Sequence, residues 1–599
     1  MIWKLSFTGI KSRLKDYTVL FSGLVVASMI FYMFLSLAIN PSFMSKDVNA
    51  PSSYLSFIFG FGIVLLAIIT LVYLIYANSF LLSMRQHDYG MFMMLGAKSS
   101  RIGLLIFCET LITGVLATIL GIIIGFGLTA LVAKLLIHNL GLAITHFQVI
   151  LPNAIIWTLV FFIFIFFLAA LRNVHKLVHS KVIDLLHESQ KPIKISNHPV
   201  WRSVEAVLGI LLLAAGYYVM GWKNVFIVIP VALVTIVLGS YFTFDAFFTA
   251  IIDVLLKNKG FAYHGIRIFT LGQLKFRLRD YTRILTVISL LFALALGAIT
   301  VGLNFNTIKD QVKGSIYYDA EVVSNSSNVQ KNVDKLSIKT KHTYHYKETS
   351  HDLYFDKAEF KKNPVKNVRF ELKNNLPTYK NETLNTGQIS NPGTHANSSF
   401  GELVPNGIPK KIHLLPTKEA KNIKGQSKFV TFLSVNNFDK DYPVLLKIEK
   451  KQMQENPSLT DTLSGTKPLA YQTMLGLTSG FEFMGFFLGL AFLTMLASTL
   501  MFKVLSGAAS DKMRYQMLYK IGAREKVLRH SISSEIGTLF VLPGILGIVD
   551  VLFGLRMFKL LLPHPYAGLW IPFTIFIILY FFYYVLTVKL YERIVLARK

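Results

Sequence analysis

Cysteine is almost missing: the 599 residues hold one, Cys108. A single thiol excludes a disulfide framework and a cysteine-based zinc site, and its apolar setting reads as buried and inert. Charge is scarce too, at 16% of residues, and acidic charge scarcest, with 33 Asp and Glu against 61 Lys and Arg. So little charge over so long a chain excludes an ordinary soluble protein. Signatures of chemistry are also missing: no G-x-x-x-x-G-K-[ST], H-E-x-x-H or G-x-S-x-G pattern occurs. The chain is therefore not read as an enzyme and is expected to bind no cofactor or metal; any ATP and Mg belong to a partner subunit. His342, His345 and His351 share a basic, polar stretch with little acidic support, and read as solvated. What is plentiful is apolar surface, with 53% hydrophobic and 13% aromatic residues and a mean hydropathy of +0.50. That is a multi-span membrane protein. Its net charge of +28 is divided between loops and one polar block, which argues for membrane topology and against nucleic acid.

Two repeats organise the chain. Met84 to Glu109 recurs as Ser510 to Glu535: Tyr89, Met91, Leu95, Gly96, Ala97, Lys98 and Glu109 fall on Tyr515, Met517, Ile521, Gly522, Ala523, Arg524 and Glu535, at a constant offset of 426. Upstream, the stretch from Lys11 through Arg13, Asp16 and Tyr17 to Thr18 matches Lys275 through Arg277, Asp280 and Tyr281 to Thr282, at an offset of 264. The difference between the offsets, 162 residues, is the length of a polar block that only the second half carries. The protein reads as a duplicated membrane unit with a domain inserted into one copy.

Apolar runs at Tyr17–Ile39, Tyr54–Leu82, Ile102–Leu136, Val149–Leu171, Val204–Met220, Val225–Leu256, Ile284–Phe305, Gly476–Leu505, Ile532–Leu562 and Trp570–Val588 predict ten transmembrane helices in two pseudo-repeated halves. The first run is over-long for a signal peptide, and its mid-chain repeat partner cannot be one, so it is read as an uncleaved span. Lys and Arg gather at Lys4, Lys11, Arg13 and Lys15, at Arg85, Lys98 and Arg101, and in the tail from Lys589 to Lys599, while loops such as 40–53 are nearly free of them. The positive-inside rule then puts both termini in the cytoplasm and the insert outside a plasma membrane. The resulting plan is a cytoplasmic amphipathic elbow at 1–16 and helices 1–4 over 17–172 with a repeated segment at 85–101. A linker at 173–202, helices 5–6 over 203–256, a second elbow at 257–283 and helix 7 over 284–305 follow. An extracellular α/β domain fills 306–475, helices 8–10 span 476–588 with the second segment at 511–527, and a tail closes at 589–599.

Each repeated segment carries too much charge for the bilayer centre and reads as a surface helix on the cytoplasmic side, with the glycine capping its end. Glu109 and Glu535 stand just inside the following spans, either as functional intramembrane carboxylates or as partners of nearby Arg101 and Arg529. Asp245 and Asp253 lie toward the cytoplasmic end of span six and read as interfacial. Gly121 and Gly125 offer span three a close helix contact, and Pro230, Pro543 and Pro572 are expected to kink spans six, nine and ten. In the insert, Phe429–Val435 and Tyr442–Ile448 read as strands and Asn374–Ser399 as a mobile loop. The insert holds 25 Lys and Arg against 17 Asp and Glu, an excess of eight. That excess either solubilises the domain or attracts anionic lipid and phosphate, with Lys410, Lys411, Lys418 and Lys421 as possible contacts.

The basic motif ending Leu-[Lys/Arg]-Asp-Tyr before spans one and seven, the Tyr-x-Met-x3-[Leu/Ile]-Gly-Ala-[Lys/Arg] loop after spans two and eight, and one large outer domain between spans seven and eight resemble the FtsX-like ABC transporter permeases, and more narrowly the bacitracin-resistance (BceB-type) permeases. The resemblance implies a membrane subunit that pairs with two copies of an ABC ATPase, which would dock on segments Tyr89 to Arg101 and Tyr515 to Val527. It implies a Gram-positive host, protection against peptide antibiotics that bind cell-wall lipid intermediates, and a membrane histidine kinase as signalling partner. It further implies that the outer domain meets the antibiotic, an undecaprenyl pyrophosphate-type lipid, or both. Two other readings stay open: a permease of the same superfamily that regulates a cell-wall hydrolase or moves lipid-linked cargo, and an ion-coupled secondary transporter.

Overall fold

The computed structural model describes residues 14–41, 51–140, 147–179, 182, 199–222, 224–263, 267–305, 308–373, 376–404, 410–463, 465–560, 562 and 564–596. Among them ten helices are long and apolar enough to cross a membrane. They run Leu14–Ala38, Pro51–Met94, Ser99–Leu140, Pro152–Val178, Pro199–Val219, Val225–Phe242 continued by Phe248–Lys257, Arg267–Phe305, Lys467–Lys520, Glu525–Gly554 and Trp570–Val595, and are numbered here as spans one to ten. Most are apolar on every face, so large side chains such as Phe57, Trp157 and Phe581 stay exposed, as a lipid-facing surface requires.

The helices are longer than the apolar runs, and this corrects the expected boundaries. The segment before Gly96 is no separate surface helix: span two runs unbroken from Pro51 to Met94, and span eight from Lys467 to Lys520, a rod of 54 residues and about 80 Å. Nor is there an elbow between 267 and 284. Leu274, Leu278, Tyr281 and Leu285 keep one buried stripe at helical spacing with no proline, so span seven begins at Arg267. A charge forbids the bilayer centre but not the helix, and these helices continue past the lipid.

The duplication extends to packing. A Cβ on Gly121 of span three would strike Ser28 of span one, and one on Gly547 of span nine would strike Phe292 of span seven. Gly121 and Gly547 differ by the 426 offset, and Ser28 and Phe292 by 264, so the same helix crossing recurs in both halves. Gly125 also lies against span one, at Tyr32. Pro230 and Pro543 stand inside spans six and nine. Pro572 occupies the first turn of span ten, where a missing N–H costs nothing, and so forces no kink. Span six is instead interrupted by a π-turn at Thr243–Phe247 that carries Asp245.

The insert is an α/β domain. Its five-stranded sheet has the order β1-β7-β2-β3-β6, with β1 Ala320–Val322, β2 Ile338–Glu348, β3 Asp352–Asp356, β6 Lys411–Leu415 and β7 Gln426–Val435. Only the β3–β6 pair is parallel. One sheet face buries Tyr344, Tyr346, Phe355 and Phe432 against Phe360 and Phe400. The other meets the helices Ser327–Val333 and Phe438–Glu455 through Val322, Leu433, Leu445 and Ile448. Phe429–Val435 is a strand as expected, but Tyr442–Ile448 lies inside the helix Phe438–Glu455. Asn437 caps that helix through Lys440 N, and the buried series Asp441, Leu445, Ile448, Glu449, Gln452 is spaced for a helix, which the short alternation around Pro443 concealed. Half of the expected loop 374–399 is regular instead: 376–383 form β5, Leu376–Thr383, paired with β4, Lys366–Lys373, and 395–399 begin the helix His395–Leu403.

Along β1 the side chains of Glu321 and Glu449 are both buried, with Glu321 N donating to Glu449 Oε1 at 3.3 Å and Gln452 Nε2 donating to Glu321 O at 2.9 Å. Loss of hydration pushes Glu449 up to about 8, and Glu321 well above the usual carboxyl range, the latter also by the neighbouring carboxylate. A raised folded pKa means the folded domain holds protons the unfolded chain has released. Stability therefore falls as pH rises from the unfolded carboxyl range through about 8. Glu449→Gln should raise the thermal unfolding midpoint of the insert at pH 9 and change it little at pH 5. Equal shifts at both pH values would contradict the buried-acid assignment.

Candidate functional site

Each repeated segment ends in the same turn. Gly96 and Gly522 have φ of +93° and +101°, a conformation that suits glycine. In the first turn Gly96 N bonds Met93 O at 3.1 Å and Ala97 N bonds Phe92 O at 3.0 Å; in the second Gly522 N bonds Tyr519 O at 3.0 Å and Ala523 N bonds Leu518 O at 3.0 Å. Both are Schellman caps, which reverse the chain into the next span. The residues before the glycine are left outside: Leu95 is 86% exposed and Ile521 83%, with Met91, Met94 and Met517 beside them. Lys98 and Arg524 are exposed on the far side of each turn, and Ala97 and Ala523 are half-buried beneath it. Each turn is thus a small apolar knob with a basic flank, in two copies on the same side of the bundle. The insert stands at the opposite end of span eight.

Behind each knob a tyrosine clips the hairpin together. Tyr89 donates to Glu109 Oε2 at 3.0 Å, and Tyr515 to Glu535 Oε2 at 3.1 Å, all four side chains being buried. Arg529 does not reach Glu535; it pairs with Glu525 at 2.8 Å and Glu592 at 2.6 Å on the surface. Glu535 belongs instead to a buried cluster centred on Arg277. Arg277 Nε lies 2.6 Å from Glu535 Oε1, and its Nη2 bonds Asp511 and, at 2.8 Å, Tyr591 OH, which donates to Asp511 Oδ2 at 2.8 Å. Four helices, spans seven to ten, meet on this one guanidinium. Beside it Lys503 pairs with Asp280 at 3.3 Å and lies 4.3 Å from the ring centre of Tyr281, tying span seven to span eight. Arg13 and the side chains of Asp16 and Tyr17 lie outside the described residues. At the 426 offset the position of Asp511 is taken by Arg85, so the two halves differ in charge where they are otherwise alike.

Sequence reasoning found Arg277 and Glu535 but not what joins them. Asp511 and Tyr591 lie 234 and 314 residues from Arg277, and no spacing rule connects them. Asp550 was legible in principle as a carboxylate inside the apolar run Ile532–Leu562: it accepts from Tyr217 at 2.6 Å and joins span five to span nine. Asp253 pairs with Lys275, and Asp245 accepts from Thr282 at 3.3 Å. At the other end, Lys467, the first residue of span eight, is buried in an ion pair with Asp319 at 2.7 Å, and Asp319 also accepts from Val435 N at 2.8 Å. The insert sheet is thereby fastened to the top of the rod whose foot carries Asp511, Tyr515 and the second knob. Of the four insert lysines, Lys410 is held by Glu348 at 2.7 Å and by Thr349 O, while Lys411, Lys418 and Lys421 are exposed.

Residues 60–182 match the family model described as FtsX-like permease C-terminal. The chain is 22% identical to an uncharacterized ABC transporter permease, YvcS, of Bacillus subtilis (strain 168), over 98% of each chain. It is 23% identical to the ABC transporter permease protein YxdM of the same organism over 92% of each, and 22% identical to its bacitracin export permease protein BceB over 50% of this chain and 47% of that one.

Proposed function

We propose that this ABC transporter permease of the FtsX-like family protects its cell from peptide antibiotics by ATP-driven release of the antibiotic from a cell-wall lipid. The observation that carries the proposal is the pair of exposed knobs at Leu95–Gly96 and Ile521–Gly522. Two like surfaces suit two copies of an ATPase subunit, which would hold the ATP and Mg. On this reading the knobs lie in the cytoplasm with both termini, and the insert lies outside.

Closure of the two ATPases on ATP would draw the knobs together. The clips at Tyr89 and Tyr515 and the cluster around Arg277 make each knob rigid with the spans behind it, so its displacement passes to span eight and not into local bending. Span eight carries the displacement to the Lys467–Asp319 junction and hence to the sheet of the insert. A basic outer domain repels a free cationic peptide but attracts one already complexed with a pyrophosphate lipid, whose anionic group it can contact. The ligand would therefore be the antibiotic on its undecaprenyl pyrophosphate-type lipid, and the ligand-occupied insert would also report to a membrane histidine kinase. The domain match supports a permease over an ion-coupled carrier, and the bacitracin export permeases matched over about half their length support this reading over a cell-wall hydrolase regulator.

Deletion of the chain should sensitise cells to bacitracin- or lantibiotic-like peptides, with rescue by the wild type. Normal tolerance to every cell-wall peptide, with altered cell shape, would favour the hydrolase-regulating permease. Charge reversal of exposed Lys411, Lys418 and Lys421 should weaken protection; unchanged resistance at normal expression would remove those lysines from the contact surface.

A further inference from the structure

One face of the insert sheet is only half covered. The helices Ser327–Val333 and Phe438–Glu455 pack over β1 and the adjoining part of β7, where Thr431 and Leu433 are buried, and leave β2 from Lys341 to His345 and the start of β7 at Phe429 more open. Register sets Thr343 opposite Thr431, Lys341 opposite Leu433 and His345 opposite Phe429 on this face. Together with Asn325 and Gln330 they line a cavity of about 230 Å³, floored by Phe429 and Leu433 and open to solvent.

The polar groups that line it can all donate. Lys341 brings an ammonium with no ion-pair partner among the described residues, and Asn325 and Gln330 bring amides. Thr343 and Thr431 share one hydrogen bond at 2.9 Å, which leaves one of the two hydroxyl protons for a ligand. His345 lines the cavity too, and its Nδ1 lies 2.8 Å from Glu359 Oε1, which holds the ring in place. No carboxylate lines the cavity. Two carboxylates bonded to residues in or beside the lining are themselves engaged: Glu359 by His345, and Glu455 by Ser324 and Ser326 at 3.0 and 2.9 Å. Convergent donors, one ammonium, no lining carboxylate and an apolar floor match an oxyanion better than a cation.

From this we infer that the cavity between β2, β7 and the helix Ser327–Val333 is an anion site of the outer domain, taking a phosphate or pyrophosphate group through Lys341, His345 and the Thr343–Thr431 pair. The inference rests on the reading of the insert as the ligand-meeting domain, and adds to the exposed Lys411, Lys418 and Lys421 a second contact on the opposite flank of β2. Pyrophosphate borne by a lipid and free pyrophosphate present the same chemistry to it.

The test is binding of inorganic pyrophosphate, of geranyl pyrophosphate and of geraniol to the full-length permease in detergent, by calorimetry at low and moderate salt. Lys341→Glu and Thr343→Val are compared with Lys362→Glu, an equal charge change at an exposed residue that does not line the cavity. Both pyrophosphates should bind the wild type and geraniol should not. Lys341→Glu should weaken binding about tenfold or more, Thr343→Val severalfold, and Lys362→Glu little. Binding of geranyl pyrophosphate alone would assign the site to the lipid-borne group; equal binding of both would assign it to the anion itself. No pyrophosphate binding, or equal loss in Lys341→Glu and Lys362→Glu, would overturn the site. Antibiotic protection measured on the same variants keeps the two ideas apart: binding lost with protection intact leaves the site real and the transporter reading to be revised, whereas no binding with protection intact removes the site alone.

Discussion

Gly96→Pro combined with Gly522→Pro should give a protein that reaches the membrane at wild-type level and confers no antibiotic protection. Both glycines hold a positive φ that proline cannot adopt, and both donate a backbone hydrogen bond that proline cannot make. A loss of about 3 kcal/mol at each turn is expected, confined to the cap because the spans on either side are held by the bilayer and by their own packing. Alanine at the same positions keeps the N–H and meets only the left-handed penalty of about 1–2 kcal/mol. The alanine pair should therefore retain partial protection, and each single proline should fall between the pairs. The measurement is the inhibitory concentration of bacitracin or a lantibiotic against cells carrying each variant, with membrane abundance determined alongside. Full protection by the double-proline variant would show that the shape of the knobs is unimportant.

Arg277→Leu should be the most damaging single change within the bundle. Arg277 is buried with Asp511 and Glu535, and its loss leaves both acids and Tyr591 without their cation in a low-dielectric setting. Breaking a buried pair from one side costs about 3–5 kcal/mol, a large share of the stability of most folds. Thermal unfolding of the purified protein and its abundance in the membrane should both drop sharply. Removing the charges together, as Arg277→Leu with Asp511→Asn and Glu535→Gln, should recover much of the stability, because neutral groups do not demand a counter-ion. The recovered protein should still protect poorly, since four helices would no longer be tied at one point behind the second knob. Wild-type protection by the triple variant would reduce the cluster to a structural pin with no part in transmission.

The ten helices were legible because each is an apolar run of at least 17 residues, and a bilayer leaves such runs few alternatives. The glycine caps were legible for another reason, the repeat: Gly96 and Gly522 hold the same place before Ala97 and Ala523, and a turn needed twice points to a backbone constraint. Charge is a poor guide to where a helix ends. Arg85 and Arg277 cannot enter the lipid core, yet a helix passes the interface without a break, so the expected surface helix and elbow are ends of spans two and seven. In the insert, alternation over seven residues from Tyr442 to Ile448 looked like a strand, and only the longer series through Gln452 shows the helical period. The Arg277 cluster and the Lys467–Asp319 junction were beyond reach. Each joins residues more than 140 positions apart, and such pairings exist only once the helices have packed.

Native mass spectrometry of the permease co-expressed with the proposed ATPase subunit measures directly what the two knobs hold. Leu95→Asp and Ile521→Asp place a charge at the exposed tip of each knob without touching the caps or the buried clips. Two ATPase subunits are predicted on the wild type, a predominance of one on each single variant, and none on the double variant. Two subunits retained on the double variant would contradict the assignment of the knobs as the seats of the ATPase.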